Sequence, residues 1–181
     1  EVTGKNWSAY KHADPVVHIL QQIADVHLKK GETYTYFNLL YCSDEAQPQD
    51  LKMTQVCDGV VRIEGGSEVA FAGVGDSAVV QKIPGGPEVA AAQFHVSPSL
   101  FSLVDATSLV WNKVAIKADS PVSIEFDPTT GEGLVIAGRR TQLRVPGDSS
   151  TDVTVDGKAV AAQSSGGTRG FVVPADRKSV V

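Results

Sequence analysis

The sequence predicts an all-β protein, a two-sheet antiparallel β-sandwich. About a dozen short apolar segments recur along the chain with alternating apolar and polar residues, the period a pleated strand imposes. Gly and Pro clusters punctuate them, and no convincing helix lies between them to carry crossovers between parallel strands, which excludes a doubly wound α/β fold.

The elements follow in order. Residues 1–14 have no clear period and read as an N-terminal arm or linker remnant, leaving 15–181 as the sandwich domain. Val16 to Leu28 and Thr33 to Cys42, joined by Lys29-Lys30-Gly31-Glu32, read as a long central β-hairpin. Val26 and Leu28 alternate with Asp25 and His27, and Phe37, Leu39 and Tyr41 with Tyr36, Asn38 and Leu40. Ile19 to Ile23 also suits a helix, but it has no adequate cap and runs straight into a strand pattern.

Twelve further strands are expected at Gly59–Glu64, Glu68–Ala72, Ala78–Ile83, Val89–Val96, Leu100–Val104, Ser108–Lys117, Val122–Phe126, Gly133–Ala137, Thr141–Val145, Val153–Val155, Lys158–Ala161 and Gly170–Val173. Asp156-Gly157 is a two-residue hairpin signal, and Asp127-Pro128-Thr129-Thr130-Gly131 is a turn. The expected inward residues are Phe37, Leu39, Tyr41, Val61, Ile63, Val69, Phe71, Phe94, Val96, Val110, Val114, Ile116, Val122, Ile124 and Phe126. Alternation on so many strands fits two packed sheets better than a barrel with a polar lumen.

At 181 residues the chain is long enough for one domain to fold without a covalent staple. A net charge of -5 argues against a general nucleic-acid binder, and apolar runs of about five residues fall well short of the ~20 a membrane helix needs. The opening Glu1-Val2-Thr3 carries neither a signal peptide nor an initiator Met, which reads as a module cut from a longer or processed polypeptide. Cys42 and Cys57 flank a polar loop. A bridge between them would contribute about 3 kcal/mol and suit a secreted or periplasmic protein; the alternative is two unconnected thiols at strand ends.

No catalytic residue is assigned. His12, His18, His27 and His95 fall in no metal-ligand spacing, no G-x-S-x-G elbow exists, and Gly73-Val74-Gly75 is a turn, not a phosphate loop. Tyr34, Tyr36 and Tyr41 near His27 have the chemistry of a lyase base, but strand tyrosines are mostly packing residues. No cofactor is assigned; the acidic loops Asp127 to Glu132 and Asp148 to Asp156 are where a structural calcium would sit, though neither has a calcium-loop spacing.

Binding is better supported. With Val110, Val114 and Ile116 inward, Trp111, Lys113 and Lys117 share the opposite face, an aromatic plate beside two cations. Arg140 and Arg144 form a second basic group on one strand face. In a chain of net negative charge, such local reversals are what an acidic or sulfated polysaccharide requires; the alternative is a domain interface or an ordinary solvated face.

The run Gly31-Glu32-Thr33-Tyr34-Thr35-Tyr36-Phe37-Asn38-Leu39-Leu40-Tyr41, with Thr154-Val155-Asp156-Gly157-Lys158 and Arg169 through Ala175, resembles the C-terminal β-sandwich region of heparinase-II/III-type and related polysaccharide lyases. The resemblance implies either a carbohydrate-binding accessory module, or a structural sandwich that packs on the catalytic domain of its parent polypeptide. The helical toroid that carries the bulk of such lyases' catalytic groups is missing, which favours the accessory module over a complete enzyme.

Overall fold

The computed structural model describes residues 25–38, 51–147, 153–155, 158–175 and 177–180, the last four by backbone alone. The chain divides into two compact units, Glu1–Tyr36 and Phe37–Val181. The expected arm at 1–14 lies outside the described residues.

In the first unit, the predicted turn is present. Gly31 has a φ of 90°, the Glu32 amide donates to the Lys29 carbonyl at 3.0 Å, and the Lys29 amide donates to Glu32 Oε2 at 2.9 Å. The strands expected to flank it are not formed between Asp25 and Asn38, and Val26, Leu28, Tyr34 and Tyr36 are exposed. Leu39 and Tyr41 lie outside the described residues. Alternation at 25–38 records which side chains are able to share a face; it does not supply the neighbouring strand that would bury them.

The second unit is the β-sandwich, with every pairing antiparallel. Its strands are β1 (Lys52–Cys57), β2 (Val60–Gly65), β3 (Glu68–Val74), β4 (Gln81–Lys82), β5 (Glu88–Ala90), β6 (Gln93–Val96), β7 (Phe101–Trp111) and β8 (Val114–Phe126). There follow β9 (Gly133–Ala137), β10 (Thr141–Pro146), β11 (Thr154–Val155), β12 (Lys158–Ala159), β13 (Gln163–Ser165), β14 (Thr168–Val173) and β15 (Arg177–Val180). Thirteen of these form one paired network, and β11 and β12 make a separate hairpin.

The network folds into two layers because its longest hairpin, β7–β8, belongs to both. The first half of β7 pairs with β6 at Phe101 to Val104, and the last part of β8 pairs with β9 at Val122 to Phe126. Together with β1, β2, β3 and β15 these form the first layer. The second half of β7 pairs with β5, and the first part of β8 pairs with β10, which leads to β14 and β13. These strands and β4 form the second layer.

Between the halves the register breaks twice. Asp105, at a φ of 48°, sits in the first break. In the second, a step of two residues on β7 faces a step of five on β8, where Ala118 to Pro121 make the bend. A bulge of this kind bends the strand and increases its twist, and Pro121 is tolerated there because it has no ladder donor to lose. The buried Ser120 hydroxyl meets Thr141 Oγ1, whose own proton goes to the Arg139 carbonyl at 2.7 Å, so the polar groups enclosed at the bend are satisfied.

The core lies between the layers. Phe71, Phe94, Phe101, Phe126 and Phe171 fill it with Leu103, Leu109, Leu143, Ile116 and Ile124. Phe71 in the first layer meets Trp111 from the second at a ring separation of 6.1 Å, and a Cβ on Gly86 in the β4–β5 turn would stand 2.7 Å from the Phe71 ring. These contacts hold the two layers face to face.

Several expected elements are corrected. The polar stretch read as loop before Cys57 is strand β1, while β13 and β15 were not expected. The segment Val89–Val96 is two strands that change layer at Ala91 and Ala92. On β2, Val60 joins the core cluster; Val61 is buried at 4% exposure but, like the half-buried Ile63, lies outside that cluster. Of the expected Cys42–Cys57 bridge, Cys42 lies outside the described residues; Cys57 carries a free thiol, held at the β1–β2 turn with its sulfur accepting from Gln81 Nε2 at 3.6 Å.

Candidate functional site

The largest correction concerns Ser108–Lys117. It is a hairpin, not one strand: Asn112 and Lys113 have φ values of 47° and 69°, and Trp111 pairs with Val114 across them. Two left-handed residues in a two-residue loop match the twist of the flanking strands. The reversal restarts the alternation, so cross-strand partners rather than sequence parity share a face. Leu109, Trp111, Val114 and Ile116 turn inward, and Ser108, Val110, Ala115 and Lys117 turn outward.

Val110, expected inward, is 49% exposed. Trp111, expected as an exposed plate, is partly buried against the core, at 6.1 Å and 81° from Phe71 and 6.1 Å and 59° from Phe101. Lys113 stands at the hairpin tip, away from the sheet face.

The remaining cations converge. Register places Arg144 on β10 directly opposite Lys117 on β8, both exposed on the outer face of the second layer. Side chains directly opposite in an antiparallel pair have Cβ atoms about 5 Å apart, so two like charges stand side by side. With Ala118, Asp119 and Gln142 they line a depression of about 160 Å³. Asp119 Oδ1 accepts the Gln142 backbone amide at 3.0 Å, which ties the only carboxylate on this wall among the described residues to the β10 backbone. Among the described residues neither Lys117 nor Arg144 forms an ion pair, whereas Arg62 with Glu64 and Lys82 with Glu88 do.

Arg140 precedes β10 and lines an adjoining depression of about 530 Å³ with Val160, Ala161, Val172, Pro174 and Ala175. Gln142 on the wall of the first depression and Val172 on that of the second are cross-strand partners on the same outer face. The face therefore carries a cationic pair at one end and, about four residues or ~13 Å along β10, an arginine over an apolar floor. Lys117, Arg140 and Arg144 were legible as cations; Asp119, Gln142 and Val172 were not singled out, and only strand register reveals them.

Elsewhere, a depression of about 500 Å³ opens where Thr129 to Glu132 approach Gly147, with Arg169 on its wall. Asp127 there is held as a turn residue. Its carboxylate accepts from the Thr129 hydroxyl and amide, which lower its pKa. No cluster of three or more metal-ligating side chains occurs among the described residues. His95 lies on the outer face of the first layer, beside Ala72 and Ser102, and burial lowers its pKa. No protein-family model matches the chain, and no curated protein matches it in sequence.

Proposed function

We propose that the chain is a non-catalytic carbohydrate-binding accessory module of an exported polysaccharide-degrading enzyme, and that it binds an acidic or sulfated polysaccharide. The observation that carries this reading is the Lys117–Arg144 pair. Like charges directly opposite on a sheet destabilise it, and in a chain of net charge -5 the pair is sited against the overall field. A bound anion relieves that repulsion. The adjoining apolar floor at Val172 and Pro174 suits the C–H face of a sugar ring, and Arg140 beside it supplies donors for a further acidic group.

Affinity electrophoresis through gels containing acidic, sulfated or neutral polysaccharides tests the proposal. Migration should be retarded by the anionic gels alone, and the Lys117→Ala/Arg144→Ala double variant should bind about tenfold more weakly or worse, two charge-assisted contacts being lost. Equal retardation by neutral gels, or an unaffected double variant, refutes it. Incubation with acidic polysaccharide should not raise the ultraviolet absorbance of unsaturated uronate.

A second reading, a structural sandwich packing on a catalytic domain of the same parent polypeptide, has its own observation. On the outer face of the first layer, Val104 and Ile136 are exposed around a depression of about 150 Å³ that also includes Leu134. Exposed apolar surface of this kind promotes association. Concentration-dependent self-association on sizing, with no retardation in any polysaccharide gel, is the outcome that would favour this second reading.

A further inference from the structure

We propose that the Lys117–Arg144 pair receives a sulfate half-ester in preference to a carboxylate, an inference that rests on the polysaccharide-binding reading above. The row across the second layer runs Ser108, Lys117, Arg144, Gly170 and Gln163. Gly170 does not have a positive φ, so the backbone there does not demand glycine. A Cβ at this position would stand 3.2 Å from Gln142 Nε2, which would have to give slightly, and at ordinary contact, 3.5 Å, from Arg144 Cγ. The amide end of Gln142 and the stem of Arg144 thus lie close over Gly170 on β14, on the side of Arg144 away from Lys117. The depression of about 160 Å³ occupies the gap between the two cations, several times the ~30 Å³ share of one water.

A ligand in that gap meets donors from two sides. A carboxylate is planar, and a guanidinium fork takes both its oxygens in one plane. A sulfate half-ester keeps three free oxygens in a tetrahedral array, so two can face the Arg144 fork while the third faces the Lys117 ammonium. Asp119 borders the same gap, and although its Oδ1 is engaged by the Gln142 amide its charge opposes any bound anion. It therefore sets the affinity without setting the preference.

Dextran sulfate, carboxymethyl dextran and unmodified dextran, matched for size and charge density at one ionic strength, present the two anions on one backbone. The full chain should bind dextran sulfate about tenfold more tightly than carboxymethyl dextran and leave dextran unbound. Lys117→Ala should cut that preference to about threefold or less while Arg144 still holds both anions. Asp119→Asn, which keeps the oxygen that accepts the Gln142 amide, should raise affinity for both by about two- to fivefold. Equal affinity for the two anionic dextrans overturns the sulfate assignment and leaves the polysaccharide reading intact. A preference that survives Lys117→Ala overturns the assignment to this pair. Binding to neither removes both proposals together.

Discussion

Replacing Trp111 with alanine removes the side chain that joins the two layers at the tip of the long hairpin. Truncating a fully buried Phe or Trp costs about 3–5 kcal/mol; because Trp111 is partly buried, the expected loss is about 2–3 kcal/mol. Its two aromatic contacts, each with centroids 6.1 Å apart, account for about 1–2 kcal/mol of that. For a chain of this size the loss lowers Tm by about 5–10 °C. Urea unfolding followed by far-ultraviolet circular dichroism measures it without relying on the deleted fluorophore. Affinity for acidic polysaccharide should be unchanged at temperatures where the variant is folded. Polysaccharide binding abolished, with less than about 0.5 kcal/mol of stability lost, would mean that the indole faces solvent as a sugar plate and that the inward packing is wrong.

Lys113→Gly should raise stability by about 1 kcal/mol, because a lysine at a φ of 69° pays a steric cost that glycine does not; a lower urea midpoint would rule out the left-handed turn. Thr141→Val should cost about 1–3 kcal/mol by leaving the 3% exposed Ser120 hydroxyl without its acceptor, whereas an isosteric core site would lose little in the same urea titration. His95 has its pKa lowered from 6.5 by burial, so below about pH 6.5 the unfolded chain takes up a proton more readily than the folded one. Stability should therefore fall on acidification from that value towards the lowered one. His95→Gln should flatten that part of the pH–Tm curve, and an unchanged slope would show that His95 does not set it.

The parts of the fold that were legible in the sequence are those where one strand face meets the core and the other meets water. Phe94 and Val96, Val122 to Phe126, and Thr141 to Val145 are of this kind, and their alternation translates directly into burial. The reversal at Asn112 and Lys113 was illegible because neither residue is glycine. The bend at Ala118 to Pro121 was illegible because Ala118, Ser120 and Val122 continue the alternation through it. Small residues at Ala90 to Ala92 hid a change of layer in the same way. At the candidate site the cations could be named individually, but that Lys117 stands opposite Arg144, 27 positions away, is a consequence of register, which depends on how the long hairpin bends.

That shared hairpin also decides how the second unit comes apart. In a sandwich whose sheets exchange only loops, one sheet can loosen while its partner persists; here Leu103 and Leu109 on one strand, and Ile116 and Ile124 on the other, carry the same two ribbons through both layers. Withdrawing either layer strands half of a continuous ladder with unpaired amides and carbonyls, each costly to leave without a partner. The opening free energy of the central amides is thereby raised towards that of global unfolding, and the strands of the paired network with a single neighbour, β1, β4, β13 and β15, are left as the segments that can fray on their own. A unit built this way presents its outer sheet faces as rigid surfaces, because the strands beneath them cannot shift without breaking the ladder on the opposite side.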